Sequence, residues 1–248
     1  MKVIINGYSG TMGQVLTKCV LDDEELLLVA GVSPKHHDVN NQFNTYSSFA
    51  EVKEDADVVI DFSNPLALDD ILDYCLKTKT PVVLATTGYN DEEMEKIYQA
   101  SKQIPVFLSF NMSLGVNILL KLVKEAAKNL NNFDIEIIEK HHNKKVDSPS
   151  GTAVMIANAV KEIREQSEFI YGRHGRTGKR QQNEVGIHAV RGGTIVGEHS
   201  AIFAGNDEIL EINHSARSKN VFAEGAIAAA KYLVNQQPGF YNMDDMLG

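Results

Sequence analysis

Three glycines near the start of the chain lie between an apolar run and a helical pattern. Residues 3–6 read VIIN, and the turn GYSGTMG at residues 7–13 follows. Apolar residues then recur at helical spacing through residue 20. This order of strand, glycine turn and helix is typical of a dinucleotide-binding unit, in which glycines let a pyrophosphate approach the helix start. The spacing is GxxGxxG instead of GxGxxG, and a second apolar run at residues 26–32 follows at the expected distance.

The end of that second run bears on the choice of dinucleotide. An acid about twenty residues beyond the glycines usually binds the ribose hydroxyls. Residues 33–37 read SPKHH instead, and no carboxylate occurs before Asp38. Lys35 is therefore a candidate contact for a 2′-phosphate, which favours NADPH with NADH still accepted. The alternative is a solvated lysine on a loop.

Three more apolar runs end in small polar residues. Residues 57–62, 81–85 and 105–110 are predicted strands, followed by SNP, TTG and NMS respectively. The carboxyl ends of parallel strands share one edge, so these residues are expected to line the nicotinamide side of a cofactor. Ordinary polar turns are the alternative.

The second half of the chain changes pattern. A helix is predicted from residue 115 to residue 130, and short alternating segments at 185–190, 194–204 and 208–215 predict a separate, partly antiparallel sheet. Residues 171–184, glycine-rich and basic, are expected to form a mobile loop with solvated charges. Residues 222–234 predict an alanine-rich helix that can pack on the first domain.

These patterns predict an α/β fold in two domains. A Rossmann-type dinucleotide-binding domain is expected at residues 1–111, rejoined by residues 221–248. An α+β substrate-binding domain with a mixed sheet is expected at residues 112–220.

A dense basic stretch, EKHHNKKVDSPSGTA at residues 139–153, joins a predicted strand at 134–140 to a helix. Ser150 is a favourable N-cap residue, so the helix is expected to begin near Gly151. The amides of Gly151 and Thr152, with the Thr152 hydroxyl, can hold a carboxylate or a phosphate at the helix N-terminus.

The cations upstream suit proton transfer to an anion held there. His141, His142 and Lys145 lie at the end of the predicted strand. A solvated basic loop is the alternative. A metal site is disfavoured because adjacent histidines lack the i, i+4 spacing of a helical zinc motif and no cysteine lies nearby.

Composition narrows the class of partner. The net charge of −9 argues against nucleic acid, which demands a basic face. Neither a signal peptide nor an apolar run of membrane-spanning length is apparent, so we expect a cytoplasmic protein without a membrane partner. Cys19 and Cys75 both lie in helical apolar patterns and are expected to be core side chains.

Over essentially its whole length, the chain resembles the 4-hydroxy-tetrahydrodipicolinate reductase family, also called dihydrodipicolinate reductase. The most specific part is the stretch at residues 139–153, supported by the N-terminal GxxGxxG, the TTG turn and Asn111. The resemblance implies reduction of a cyclic unsaturated dicarboxylate to tetrahydrodipicolinate with NADH or NADPH, in a homotetramer assembled through the second domain.

The resemblance also implies roles for individual residues. His141 matches the family's proton donor and acceptor, and Lys145 matches its proton donor. The candidate substrate-binding residues are His142, Ser150, Gly151, Thr152 and Lys219. The candidate cofactor-binding residues from the resemblance are Gly7, Tyr8, Ser9, Gly10, Thr11, Met12, Ala85, Thr86, Thr87, Ser109, Phe110, Asn111 and Met112. Lys35 joins them as the candidate contact for a 2′-phosphate.

The chain departs from the family pattern in two places. Many relatives have an acid followed by arginine where residues 33 and 34 are Ser and Pro, so their ribose contact cannot be transferred. Relatives commonly have arginine at the position of Lys219, and an ammonium holds a carboxylate less rigidly than a guanidinium does.

Two functions of other classes remain as alternatives. The first is a dinucleotide sensor that kept the fold without the chemistry, and the second is a different NAD(P)-dependent dehydrogenase. His141 and Lys145 beside a complete helix start disfavour both.

Overall fold

A computed structural model describes residues 1–34 and 42–248. The chain divides into two compact units. The first comprises Met1–Leu114 and Lys219–Gly248, and the second comprises Gly115–Ser218. It remains a prediction that the first domain binds the cofactor and that the second binds the substrate. Lys35 lies outside the described residues.

Strands and helices alternate along most of the described chain. The strands are β1 (Lys2–Asn6), β2 (Leu27–Val32), β3 (Asn44–Tyr46), β4 (Val58–Asp61), β5 (Val82–Leu84), β6 (Pro105–Leu108), β7 (Asp134–His141), β8 (Glu168–Tyr171), β9 (Glu184–Arg191), β10 (Gly197–Ala204), β11 (Ile209–Ala216) and β12 (Gly239–Tyr241). The helices are α1 (Thr11–Asp22), α2 (Leu68–Thr78), α3 (Asp91–Ser101), α4 (Leu114–Asn129), α5 (Gly151–Ile163), α6 (Asn220–Leu233) and α7 (Met243–Leu247).

The first unit contains a parallel sheet in the order β12-β6-β5-β4-β1-β2-β3. Every pairing in it is parallel. Chain order reverses between β1 and β4, which is the topological switch point at whose carboxyl end such sheets bind ligands. The predicted Rossmann-type fold is therefore confirmed.

Helices cover both faces of this sheet, which explains the continuous apolar runs of its strands. Val3 and Ile5 of β1 pack in the cluster that contains the buried faces of α1 and α6. Ile4 points to the opposite face and packs in the cluster that contains α2 and α3. Successive apolar residues of the strand are thus buried on alternate faces of the sheet.

The second unit contains a mixed sheet in the order β11-β10-β7-β9-β8. Strands β7, β8 and β9 run parallel, whereas β10 is antiparallel to both β7 and β11. The helices α4 and α5 pack on one face, around Ile135 and Ile137 of β7. The predicted second, mixed sheet is confirmed as well.

One expectation for the second unit is wrong in part. Charges in residues 171–184 were expected to be solvated, but Arg173 and Arg180 pair with carboxylates on β7. Arg173 Nη1 lies 2.8 Å from Glu136 Oε2, and Arg180 Nη1 lies 2.6 Å from Asp134 Oδ1. Asp134 and Glu136 are two residues apart and therefore lie on the same face of β7. The run of charges in residues 171–184 does not reveal this pairing.

None of the helices in the described ranges is both long and apolar enough to span a bilayer.

The glycine turn after β1 depends on a close approach between backbone segments. Gly7 has φ of 77°, in the left-handed region that favours glycine. A Cβ on Gly13 would overlap the Gly7 carbonyl oxygen and the Cα of Tyr8. Glycine at position 13 therefore lets α1 pack directly against the turn.

We predict that Gly13→Ala lowers the free energy of unfolding by about 2 kcal/mol or more, because the turn must move to admit the methyl group. Gly10→Ala is the matched control, since a Cβ there would lie 3.3 Å from the same oxygen. Its cost should stay below about 1 kcal/mol. Urea denaturation of both variants measures the difference, and equal destabilisation would contradict the packing argument.

Candidate active site

Strand β7 carries two polar side chains on its buried face. Burial alternates along the strand, so Glu139 and His141 share the face of Ile135 and Ile137. Glu139 is 0 % exposed and His141 is 9 % exposed. A charged group on a core-facing position is costly unless it is paired and hydrogen-bonded.

Four donors surround the Glu139 carboxylate. His141 Nδ1 lies 2.6 Å from Oε2, and the Ser150 amide donates to Oε1 at 3.0 Å. Arg191 donates one nitrogen to each oxygen, both at 2.7 Å. Burial alone raises the pKa of this carboxyl, but these donors outweigh burial and hold the pKa of Glu139 below its usual range.

A second buried histidine, His199 of β10, contacts both parts of the site. Its Nε2 lies 2.9 Å from Ser150 Oγ, and its ring lies edge-on to that of His141 with centroids 5.2 Å apart. Burial, aided by the charge of His141 and opposed by that of Glu139, lowers the pKa of His199 to about 4. His199 is therefore neutral at neutral pH.

The start of α5 is organised by Ser150, as predicted. Ser150 Oγ accepts a hydrogen bond from the Ala153 amide at 3.2 Å, and its carbonyl accepts from Val154. Gly151 and Thr152 supply the other amides of the first turn. A Cβ on Gly151 would meet no atom within 4 Å, so open space lies beside this helix start.

The loop between β7 and α5 carries the predicted lysine. Lys145 Nζ lies 2.8 Å from Asp147 Oδ1, and its amide donates to the carbonyl of half-buried His142. Lys145 lowers the pKa of Asp147. Arg191 also donates to the Asp147 carbonyl at 2.8 Å, so the arginine that holds Glu139 fixes this loop too.

The structure thus brings several predicted site residues together in the second unit. His141 and Ser150 contact one carboxylate, and Gly151 and Thr152 follow Ser150 directly. Lys219 belongs to the first unit, where it is exposed and precedes α6. Its proposed role stays a prediction.

The predicted cofactor residues follow adjacent strands in the first unit. Gly7, Tyr8, Ser9 and Gly10 form the turn after β1, and Thr11 and Met12 begin α1. Ala85, Thr86 and Thr87 follow β5, while Ser109, Phe110, Asn111 and Met112 follow β6. Parallel pairing places these turns along the carboxyl edge of the sheet.

The described residues of this edge fit a dinucleotide. Gly10 occupies the N-cap position of α1 without a side-chain cap, which leaves the helix start accessible to a pyrophosphate. Ser9 Oγ lies 2.6 Å from Ser33 Oγ at the end of β2, so the turn is tied to the neighbouring strand.

The predictions missed four polar residues of these sites. These residues are Asp61, Glu139, Arg191 and His199. Glu139 was part of the motif but was given no role. Asp61 ends β4, is 0 % exposed and accepts hydrogen bonds from Asn6 Nδ2 at 2.8 Å and Ser63 Oγ at 2.6 Å. Burial raises the pKa of Asp61. An acid at the end of the apolar run VVID was the available signal.

Family comparisons cover both units. The model of the dihydrodipicolinate reductase N-terminus matches residues 1–112, and that of the C-terminus matches residues 115–247. The chain belongs to the dihydrodipicolinate reductase family. The resemblance inferred from the sequence is confirmed.

Individual relatives agree with this membership. The 4-hydroxy-tetrahydrodipicolinate reductase of Caldanaerobacter subterraneus subsp. tengcongensis is 52% identical over 100% of this chain and 98% of its own. The enzyme of that name from Clostridium tetani is 47% identical, covering 100% and 97%. A dipicolinate-bound dihydrodipicolinate reductase from Paenisporosarcina sp. TG-14 has the same fold, with a TM-score of 0.83 at 23% identity over 98% of this chain and 97% of that chain.

We predict that His199 makes this family member sensitive to acid. Its pKa is about 4 in the folded protein and near 6.5 when unfolded, so the unfolded chain binds the extra proton between these values. The contribution of neutral His199 to the free energy of unfolding is complete above about pH 6.5 and is lost as the pH drops towards 4. Acidification from pH 7 to pH 5 should therefore lower the free energy of unfolding by about 2 kcal/mol through this one group.

Urea denaturation at both pH values tests this prediction with His199→Gln, which keeps a polar atom for Ser150. The variant should lose about 2 kcal/mol less than wild type on acidification. His174→Gln, at an exposed histidine between β8 and β9, is the control and should behave as wild type. The same acid-induced loss in His199→Gln and wild type would contradict the assignment.

Proposed function

We propose that the protein catalyses the NAD(P)H-dependent reduction of 4-hydroxy-tetrahydrodipicolinate to tetrahydrodipicolinate, in diaminopimelate and lysine biosynthesis. Membership of the family and the names of relatives at 52% and 47% identity support it. The observation that carries it is the joint attachment of His141 and the Ser150 amide to Glu139. A proton-carrying imidazole is thereby held beside a helix start suited to a carboxylate.

The substrate's carboxylates are proposed to bind at the start of α5. Gly151 and Thr152 contribute amides and the positive end of the helix dipole. Ser150 shapes this turn, and His142 lies on the same loop as Lys145. Lys219 is proposed as a further carboxylate contact.

The reaction requires a proton as well as a hydride. Replacing the 4-hydroxyl group by hydrogen consumes one hydride and one proton and releases water. When bound, NADH or NADPH supplies the hydride. As electron density moves to the ring nitrogen, His141 or Lys145 supplies the proton or stabilises the charge.

The cofactor is proposed to bind along the carboxyl edge of the parallel sheet. The pyrophosphate would rest on the turn of Gly7 to Thr11, and the residues after β5 and β6 would line the nicotinamide side. Lys35 is proposed to contact the 2′-phosphate of NADPH.

We further propose a homotetramer in the cytoplasm, with the second sheet as the assembly surface. The helices α4 and α5 cover one face of that sheet. The register places Val190 and Ile209 on the other face, where they are 44% and 66% exposed. Apolar side chains on a face that no helix of the unit covers suit a subunit contact.

The direct test is to add NADPH, then NADH, to the protein with the freshly made aldolase product of pyruvate and aspartate semialdehyde. Oxidation of either cofactor, with formation of tetrahydrodipicolinate, is expected. Silence from folded protein that binds NADPH would favour the sensor alternative. Oxidation with another substrate alone would favour a different dehydrogenase.

We predict that His141→Ala and Lys145→Ala each lower kcat by roughly 100-fold or more, because each removes a proton donor or a charge that stabilises the developing anion. Lys144→Ala is the matched control, since Lys144 adjoins Lys145 in the loop and is exposed. Its kcat should stay near wild type. Near-wild-type turnover in either test variant would remove that residue from the mechanism.

We predict that Lys35→Ala raises KM for NADPH and leaves KM for NADH nearly unchanged, because only NADPH carries the 2′-phosphate. Lys77→Ala is the control, since Lys77 is exposed in the last turn of α2, which leads towards the amino ends of the strands. Steady-state kinetics with both cofactors measures the effect. Equal changes for both would show that Lys35 does not read the 2′-phosphate.

A further inference from the structure

The Glu139 carboxylate occupies a position where an apolar residue would be energetically more favourable. It lies on the core-facing side of β7, where its neighbours two and four residues back are Ile137 and Ile135. Removing a carboxylate from water is unfavourable even when the carboxylate is paired. Packing alone gives no reason for an acid here, so its contacts must provide one.

Those contacts determine which ring nitrogen of His141 is protonated. Glu139 is held ionised by the two nitrogens of Arg191, and an ionised carboxylate can only accept hydrogen bonds. The contact of 2.6 Å between Oε2 and His141 Nδ1 therefore requires a proton on Nδ1. In the neutral ring the lone pair lies on Nε2.

The space beside Nε2 is kept open by a glycine. A Cβ on Gly197 would lie 3.0 Å from Nε2 of His141 and 3.4 Å from its Cδ2. That separation equals a hydrogen-bond distance, so any side chain at residue 197 would occupy a place where a proton-exchanging partner can sit.

The Glu139 carboxylate also contacts the start of α5. Its Oε1 accepts from the Ser150 amide at 3.0 Å, directly before Gly151. The ring proposed to exchange a proton and the helix start proposed to bind the substrate are thus attached to the two oxygens of Glu139.

We propose that Glu139, clamped by Arg191, is a positioning residue that fixes His141 as the Nδ1–H tautomer, so that Nε2 exchanges the proton, and that sets this nitrogen relative to the start of α5. The inference rests on the proposed reductase function for its kinetic consequence. Its structural consequence, the tautomer, does not require any activity.

The first test observes the tautomer in the wild-type protein. Two-bond ¹H–¹⁵N spectra of protein with ¹⁵N-labelled histidine distinguish protonated from unprotonated ring nitrogens, and His141→Gln identifies the signals. At about pH 8, a protonated Nδ1 and an unprotonated Nε2 are expected. A protonated Nε2 in the wild type would overturn the proposal without any further variant.

The second test uses Glu139→Gln, whose amide can donate to Nδ1 as well as accept from it. The two tautomers should then mix, and kcat should fall about 10- to 100-fold, as for loss of a partner that orients a functional histidine. KM for NADPH should stay within about threefold, because the cofactor contacts are untouched. An unchanged tautomer, or kcat within about threefold of wild type, would overturn the proposal.

Glu136→Gln is the matched control. Glu136 lies on the same strand but on the opposite face, and it too is held by cations, Arg173 at 2.8 Å and His188 at 2.7 Å. Its replacement should leave the His141 tautomer and kcat near wild type. Equal losses in both glutamine variants would show that the loss reflects general damage to the sheet, which also contradicts a specific role.

Arg191→Lys covers the case in which Glu139→Gln fails to fold. Lysine keeps the charge but loses the two-pronged contact, so a smaller loss of kcat and a partial mixing of tautomers are expected. A wild-type spectrum and wild-type kcat in this variant would remove Arg191 from the clamp. The predicted spectra without any reductase activity in wild type would refute the proposed function and leave the geometry intact.

Discussion

The second unit depends on one buried carboxylate. Glu139 joins three elements: β7 through its own backbone, the start of α5 through the Ser150 amide, and the more distant β9 through Arg191. Its burial is tolerated because every oxygen has donors and one partner is a guanidinium. The arrangement converts an unfavourable burial into a fixed geometry, which a hydrophobic residue of the same volume could not supply.

The two histidines beside this carboxylate differ because their surroundings differ. His141 faces the carboxylate of Glu139, whereas His199 faces the hydroxyl of Ser150, and burial keeps it neutral. In the proposed mechanism His141 carries a proton, whereas His199 contacts the side chain of Ser150, which caps α5. Two groups of one type take different roles through their environments, as in many acid–base sites.

The sequence predicted the elements whose signals are local. Apolar runs, the glycine turn and Ser150 each specify their structure over a few residues, and all three lie where expected. The short strands β3, β8 and β12 were missed because their residues, such as Asn44 to Tyr46, pair only through tertiary contacts. The role of Arg191 could not be predicted, since it follows from strand pairing with β7, 50 residues earlier by the register of His141 with Arg191.

We propose that this geometry serves hydride and proton addition to a cyclic dicarboxylate. The most direct measurement uses NADPH deuterated at the transferable position of its nicotinamide ring, with mass spectrometry of the product. We expect one deuterium in tetrahydrodipicolinate, formed in step with cofactor oxidation. Oxidised cofactor without labelled product, or product formed without the label, would contradict it.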